Sequence, residues 1–167
     1  MARTALSELE LEKILFMPTG APRYRQPAVA SGEARLAMLR LATESEPHYE
    51  IDARELAPGS TGYTVDTLRE LRLELGAATE LWLLMGADQY SKLDSWHRPQ
   101  DVRKLSRIAV FARPGSKISD AGSRIVPFEP IDISASEIRG RVARGEDISA
   151  LVPPAVANYI SGHELYS

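Results

Sequence analysis

Stretches that are apolar along their whole length recur in this chain, separated by amphipathic ones. "ILFM", "LWLLMG" and "IAVFA" show no alternation of apolar with polar residues, so a strand built from any of them must be covered on both faces. "YEIDAREL" does alternate, as a half-buried strand would, and "RIVPF" suits one further strand. Between them, "ARTALSELEL", "SGEARLAMLRLATE", "YTVDTLRELRLEL" and "RPQDVRKLSR" repeat their apolar residues at helical spacing. In the second of these, Leu36 and Leu39 lie one turn apart, and Met38 and Leu41 widen the face. Gly76 closes the third, and Pro99 stands near the first turn of the fourth. A last helix follows Pro153 and Pro154. Strands that alternate with helices predict an α/β fold, a parallel sheet with helices on both faces.

In such sheets ligands sit beyond the C-terminal ends of the strands. Three loops fall there: "PTGAPRYR", "GADQYSKLDSW" and "ARPG". One feature is at odds with the fold. The chain opens in a helix with no strand ahead of it, which predicts unpaired strand edges where the sheet should be most buried.

With 167 residues, one domain spanning 1–167 is expected, and no repeat or linker divides it. A net charge of −3 argues against non-specific nucleic-acid binding. The absence of cysteine excludes disulfides, thiolate metal sites and cysteine nucleophiles. No apolar run is long enough to span a membrane, and Glu8, Glu10 and Glu12 break up any signal-peptide pattern. A soluble, cytoplasmic protein with no membrane partner is expected; its oligomeric state is not legible. Neither G-x-x-x-x-G-K-[ST] nor G-x-G-x-x-G occurs. His48, His97 and His163 have no metal-site spacing, and no G-x-S-x-G nucleophile elbow is present.

"IDISASEIRGRVARGE" starts a helix with a capping box, Ser134 followed by Glu137. That leaves Ser136 and Arg139 unexplained. A helix N-terminus with a second hydroxyl and an arginine beside it suits a phosphate. Asp88 follows Gly86 at the end of an apolar strand, where a carboxylate can accept ribose hydroxyls or cap a helix. Trp96 lies in the polar stretch "DSWHRP" and either stacks on a base or covers the core edge. Arg25 meets phosphate or solvent. Thr64 and Thr67 flank a helix start, with capping as their default role and anion binding by the nearby amides as the alternative.

Taken in order, "ILFMPTGAP", "GYTVDTLRELR", "LWLLMGADQYSKLDSW", "IAVFARPG", "ISASEIRGR" and "LVPPAVANYISGHELY" resemble bacterial nicotinate-nucleotide adenylyltransferases of the nucleotidyltransferase superfamily. The resemblance covers nearly the whole chain and implies a Rossmann-like sheet. The implied activity is transfer of an adenylyl group from ATP to nicotinate mononucleotide, giving deamido-NAD and pyrophosphate, with Mg²⁺. It implies that Asp88, following Gly86, holds the nucleotide ribose and that Trp96 stacks on the pyridine ring. The segment around Thr64 and Thr67 would receive the nicotinate carboxylate, and Ser134, Ser136 and Arg139 would grip the ATP phosphates.

The chain departs from the family in two places. Arg23-Tyr24-Arg25 stands where a Pro-His-Lys-like sequence is usual, with Arg25 in place of the lysine as phosphate contact. The family's opening strand and its G-G-T/S-F-D-P-x-H-x-G-H loop, roughly twenty residues on usual element lengths, have no counterpart. The expectation is therefore an N-terminally incomplete domain without an assignable catalytic histidine, able at best to perform very weak transfer. The alternatives are a non-catalytic nucleotide-binding relative and another superfamily transferase such as the phosphopantetheine type.

Overall fold

The computed structural model describes residues 1–20, 29–112, 118, 122–129 and 133–167. In chain order the elements are α1 (Ala2–Glu8), β1 (Ile14–Phe16), α2 (Gly32–Thr43), β2 (Tyr49–Ile51), α3 (Thr64–Leu75) and β3 (Trp82–Gly86). They continue with α4 (Ala87–Tyr90), α5 (Pro99–Leu105), β4 (Arg107–Ala112), β5 (Ser123–Pro127), α6 (Ala135–Ala143) and α7 (Pro154–Gly162). The chain divides into two compact units, Met1–Glu12 with Thr61–Pro130 and Lys13–Ser60 with Ile131–Ser167.

The unit containing Thr61–Pro130 is built on a parallel sheet in the order β3-β4-β5. Central β4 pairs on both sides, Leu84 with Ala109 and Ala109 with Arg124. Ile108, Ala109, Val110, Phe111 and Ala112 are all buried, which accounts for the unbroken apolar run "IAVFA". Val65 and Leu68 from α3, Met85, Leu93, and Val102 from α5 join Ile108 and Val110 in one core cluster. Two helix ends fasten there. Gly76 adopts φ 82° and closes α3, its N–H donating to the Arg72 carbonyl at 3.1 Å. The Arg72 guanidinium donates to the Leu105 carbonyl at 2.8 Å and so ties α3 to the end of α5.

In the other unit β1 and β2 pair in parallel, Ile14 with Tyr49 and Phe16 with Ile51. Ser31 caps α2 by accepting the Ala34 N–H at 3.1 Å. Met38 and Leu41 of α2, with Ile138 and Val142 of α6, pack on a cluster of Ile148, Val156 and Ile160. Gly20 is dictated by a close approach: a Cβ there would lie 2.3 Å from the Glu55 carbonyl oxygen.

Among the described residues β1 pairs only with β2, and β3 only with β4. "YEIDAREL" is a strand only over Tyr49–Ile51. Asp52 ends it by accepting the Arg54 N–H at 2.9 Å and the Arg54 Nε at 2.7 Å, a side-chain turn that starts a 3-10 helix over Arg54–Leu56. The loop expected after Gly86 contains α4 and a 3-10 turn, Leu93–Ser95, pinned by the fully buried Leu93.

Candidate functional site

The C-terminal end of β3 leads directly into α4. Gly86 ends the strand and precedes the helix with φ −78° and ψ 161°, an extended conformation open to any residue. A Cβ at Gly86 would meet nothing within 4 Å. The protein's own packing therefore does not require glycine here, and open space lies beside the Gly86 Cα. Asp88, in the first turn of α4, is exposed, and Gly86 rather than Asp88 occupies the cap position. The capping role weighed for Asp88 does not occur, and its carboxylate is directed to no other group among the described residues.

Tyr63, Ala87, Tyr90 and Trp96 pack against the same core cluster beneath this end of the sheet. Trp96 is partly buried, so it covers the core edge and still presents surface. The next residue, His97, stacks on Tyr63 with ring centroids 4.2 Å apart and planes at 27°. Two chain segments, 61–64 and 96–98, are thus held face to face.

Neither Thr64 nor Thr67 caps α3. Tyr63 is its N-cap residue and makes no side-chain cap bond. Thr61 organises this end instead: its Oγ1 accepts the Tyr63 N–H at 3.2 Å while its hydroxyl donates to Asp66 at 2.8 Å. The Tyr63 carbonyl takes the N–H groups of Asp66 and Thr67. The amides of Thr64 and Val65 are left at the N-terminus, where partial positive charge favours an anion. Thr67 is buried one turn further in, on the same face as Thr64.

Arg98 follows His97 with φ 53° and ψ 57°. For a residue other than glycine this costs about 1–3 kcal/mol and persists only where its surroundings hold it. Arg98 Nε meets Asp101 at 2.8 Å, and Pro99 in the next position disfavours a right-handed alternative.

Ser134, Ser136 and Arg139 share the first turns of α6 in the other unit. Ser134 Oγ accepts the Glu137 N–H at 3.1 Å. The reciprocal half of the capping box is replaced, because the Glu137 carboxylate turns along the helix to Arg141 at 2.9 Å. Arg139 Nη2 donates to Ser136 Oγ at 3.0 Å, so a guanidinium and a hydroxyl converge beside the helix start. Arg25 lies outside the described residues, as do the whole of "APRYR" and "RPG". Among the described residues no three His, Cys, Asp or Glu side chains gather to hold a metal ion, and no helix is long and apolar enough to cross a membrane.

The end of β3 thus gathers an open strand end, an exposed carboxylate, a partly buried tryptophan and the amides of a helix start. A family model described as cytidylyltransferase-like matches residues 1–141. The probable nicotinate-nucleotide adenylyltransferase of Laribacter hongkongensis is 40% identical over 192 residues, covering 99% of this chain and 86% of the relative. That of Chromobacterium violaceum is 36% identical over 190 residues, covering 99% of this chain and 90% of the relative. A solved structure, Plasmodium falciparum nicotinic acid mononucleotide adenylyltransferase complexed with NaAD, superposes with a TM-score of 0.76 at 18% identity. It aligns over 98% of this chain and 87% of that one, a likeness of fold. The fold and the matching family model are those of a nucleotidyltransferase of the cytidylyltransferase-like class. Within that class the chain belongs to the nicotinate-nucleotide adenylyltransferase family.

Proposed function

We propose that the chain transfers the adenylyl group of ATP to nicotinate mononucleotide, forming deamido-NAD and releasing pyrophosphate, a step of NAD biosynthesis in the cytoplasm. The observation that carries this reading is the gathering of Tyr63, Ala87 and Trp96 on one core cluster, which brings the α3 N-terminus and the Gly86–Asp88 turn to one place. In this reading Trp96 stacks on the pyridine ring and the Thr64 and Val65 amides receive the nicotinate carboxylate. Thr67 lies beneath them. Gly86 lets the nucleotide approach the backbone, and the Asp88 carboxylate accepts the ribose hydroxyls. Ser136 and Arg139, with the α6 N-terminus capped by Ser134, neutralise the ATP phosphates, and Arg25 adds a cation.

The mononucleotide phosphate oxygen attacks the α-phosphorus of ATP in line. As the new P–O bond forms, the bond to the β-phosphate oxygen breaks and pyrophosphate leaves. No covalent enzyme intermediate is needed, and the chain's contribution is positioning and charge neutralisation. Mg²⁺, when bound, would neutralise charge on the ATP phosphates, and the roles given to Ser136, Arg139 and Arg25 do not depend on a protein-held ion.

The residues named above bind and position substrates, so a second reading is nucleotide binding without transfer. Chromatography of reactions with ATP and either nicotinate mononucleotide or phosphopantetheine separates the readings. Deamido-NAD with equimolar pyrophosphate is expected. Product from phosphopantetheine alone would overturn the assignment, and mononucleotide binding without pyrophosphate release would leave the second reading.

A further inference from the structure

We propose that Arg69 is a positioning residue for the mononucleotide pocket, setting the separation between the α3 N-terminus and the turn that carries Trp96; this rests on the assignment of that pocket above. Arg69 donates from Nη1 to Asp66 Oδ1 at 3.0 Å and from Nη2 to Asp101 Oδ2 at 3.0 Å. Asp66 is bound through its other oxygen to the Thr61 hydroxyl at 2.8 Å, and Thr61 holds the Tyr63 N–H. Asp101 is shared with Arg98 Nε at 2.8 Å. An unbroken chain of polar contacts therefore runs from the backbone of Tyr63, through Thr61, Asp66, Arg69 and Asp101, to Arg98. Its two ends are the segments that the Tyr63–His97 stack brings together.

Global stability does not account for this network. Its four charged side chains are between 29% and 53% exposed, and ion pairs that open to solvent contribute little to folding. The helices it spans are already joined by Arg72 on Leu105 and by Val65, Leu68 and Val102 in the core. What the network adds is a fixed geometry at the pocket rim. Arg98 sits in the left-handed region, a conformation that relaxes unless its neighbours hold it, and Asp101 is the group that holds its side chain. Arginine is required in the middle because a planar guanidinium can satisfy two carboxylates at once from fixed directions, whereas an ammonium acts as a point charge.

The chain has two tryptophans, Trp82 and Trp96. The Trp82 Nε1 makes no hydrogen bond among the described residues, so Trp82→Phe breaks none and leaves Trp96 as the sole reporter. In that background, quenching of Trp96 fluorescence by nicotinate mononucleotide gives its Kd without catalysis, and calorimetry gives the Kd for ATP. Arg69→Met is expected to raise the mononucleotide Kd about tenfold. The ATP Kd should stay within about twofold and the thermal midpoint within about 2 °C. Asp101→Asn should reproduce the effect, and Arg69→Lys should recover only part of the affinity. An unchanged mononucleotide Kd in Arg69→Met overturns the proposal. So does an equal loss for both ligands with a lowered midpoint, which marks a structural role. Absence of quenching in the Trp82→Phe parent would overturn the pocket assignment itself, and this inference with it.

Discussion

Tyr63 and His97 lie ring against ring, 4.2 Å between centroids and 27° between planes, which places the start of α3 beside the turn bearing Trp96. The stack orients a tryptophan already half sunk into the core. Base–aromatic stacking contributes roughly 1–3 kcal/mol by alanine substitution. Trp96→Ala should therefore weaken nicotinate mononucleotide binding on the order of 10- to 100-fold, with ATP binding held. Trp96→Phe should lose less, because it keeps a ring in place. Calorimetric titration of both variants checks this, and an alanine variant with the parent's affinity would remove Trp96 from the site.

Gly86 offers a cleaner separation of folding from binding. Its backbone is in an ordinary extended conformation and a Cβ there meets no protein atom within 4 Å. Gly86→Ala is expected to leave the thermal midpoint unchanged or slightly raised, since alanine has less unfolded-state freedom to lose. Nucleotide affinity should fall at least about tenfold, because a methyl group would occupy the space a ligand needs. Unaltered binding in a stable Gly86→Ala protein would mean that nothing approaches this turn.

Gly20 should behave in the opposite way. A methyl there would lie 2.3 Å from the Glu55 carbonyl oxygen, and neither backbone can move aside freely. Gly20→Ala should cost about 1–3 kcal/mol, read as a thermal midpoint lowered by several degrees. A midpoint equal to the parent's would show that the segment shifts without penalty.

Acid sensitivity has an identifiable contributor in Asp52. Burial alone would push its carboxyl up, but the hydrogen bonds and positive charge of Arg54 prevail and hold it below the ordinary carboxylate value. As pH falls, the unfolded chain takes up this proton before the folded one does. The contribution is therefore complete above about pH 4 and is lost as pH drops through the lower folded-state value. The gap in thermal midpoint between the parent and Asp52→Asn should narrow from pH 5 to pH 3. A constant gap would dismiss this pair as a source of acid lability.

Residue pattern alone located the strands among the described residues: the unbroken apolar runs "LWLLMG" and "IAVFA" became β3 and β4, and the second is buried from Ile108 to Ala112. Side-chain partnerships were not. Thr61, rather than Thr64 or Thr67, organises the start of α3 because its hydroxyl reaches forward to Asp66, a local contact with many sequence-equivalent rivals. The Glu137 carboxylate follows Arg141 along the helix instead of closing the capping box. The Tyr63–His97 stack and the Arg69–Asp101 pair join residues 34 and 32 positions apart, and no periodicity encodes such distances. Asp88 and Trp96 were singled out from residue type and placement; the first lies in the turn after β3 and the second packs on the core cluster that includes Met85.

The division of the chain also sets an order of events during synthesis. The Lys13–Ser60 segment shares its unit with Ile131–Ser167, while Thr61–Pro130 pairs with the short Met1–Glu12 segment. On a ribosome adding about 5–20 residues per second, Met38 and Leu41 emerge on the order of ten seconds before Val156 and Ile160 arrive to cover them. The unit centred on β4 can form first. The earlier apolar faces wait, uncovered, for the last helix to be made, and that interval is when a nascent chain of this design most needs a chaperone.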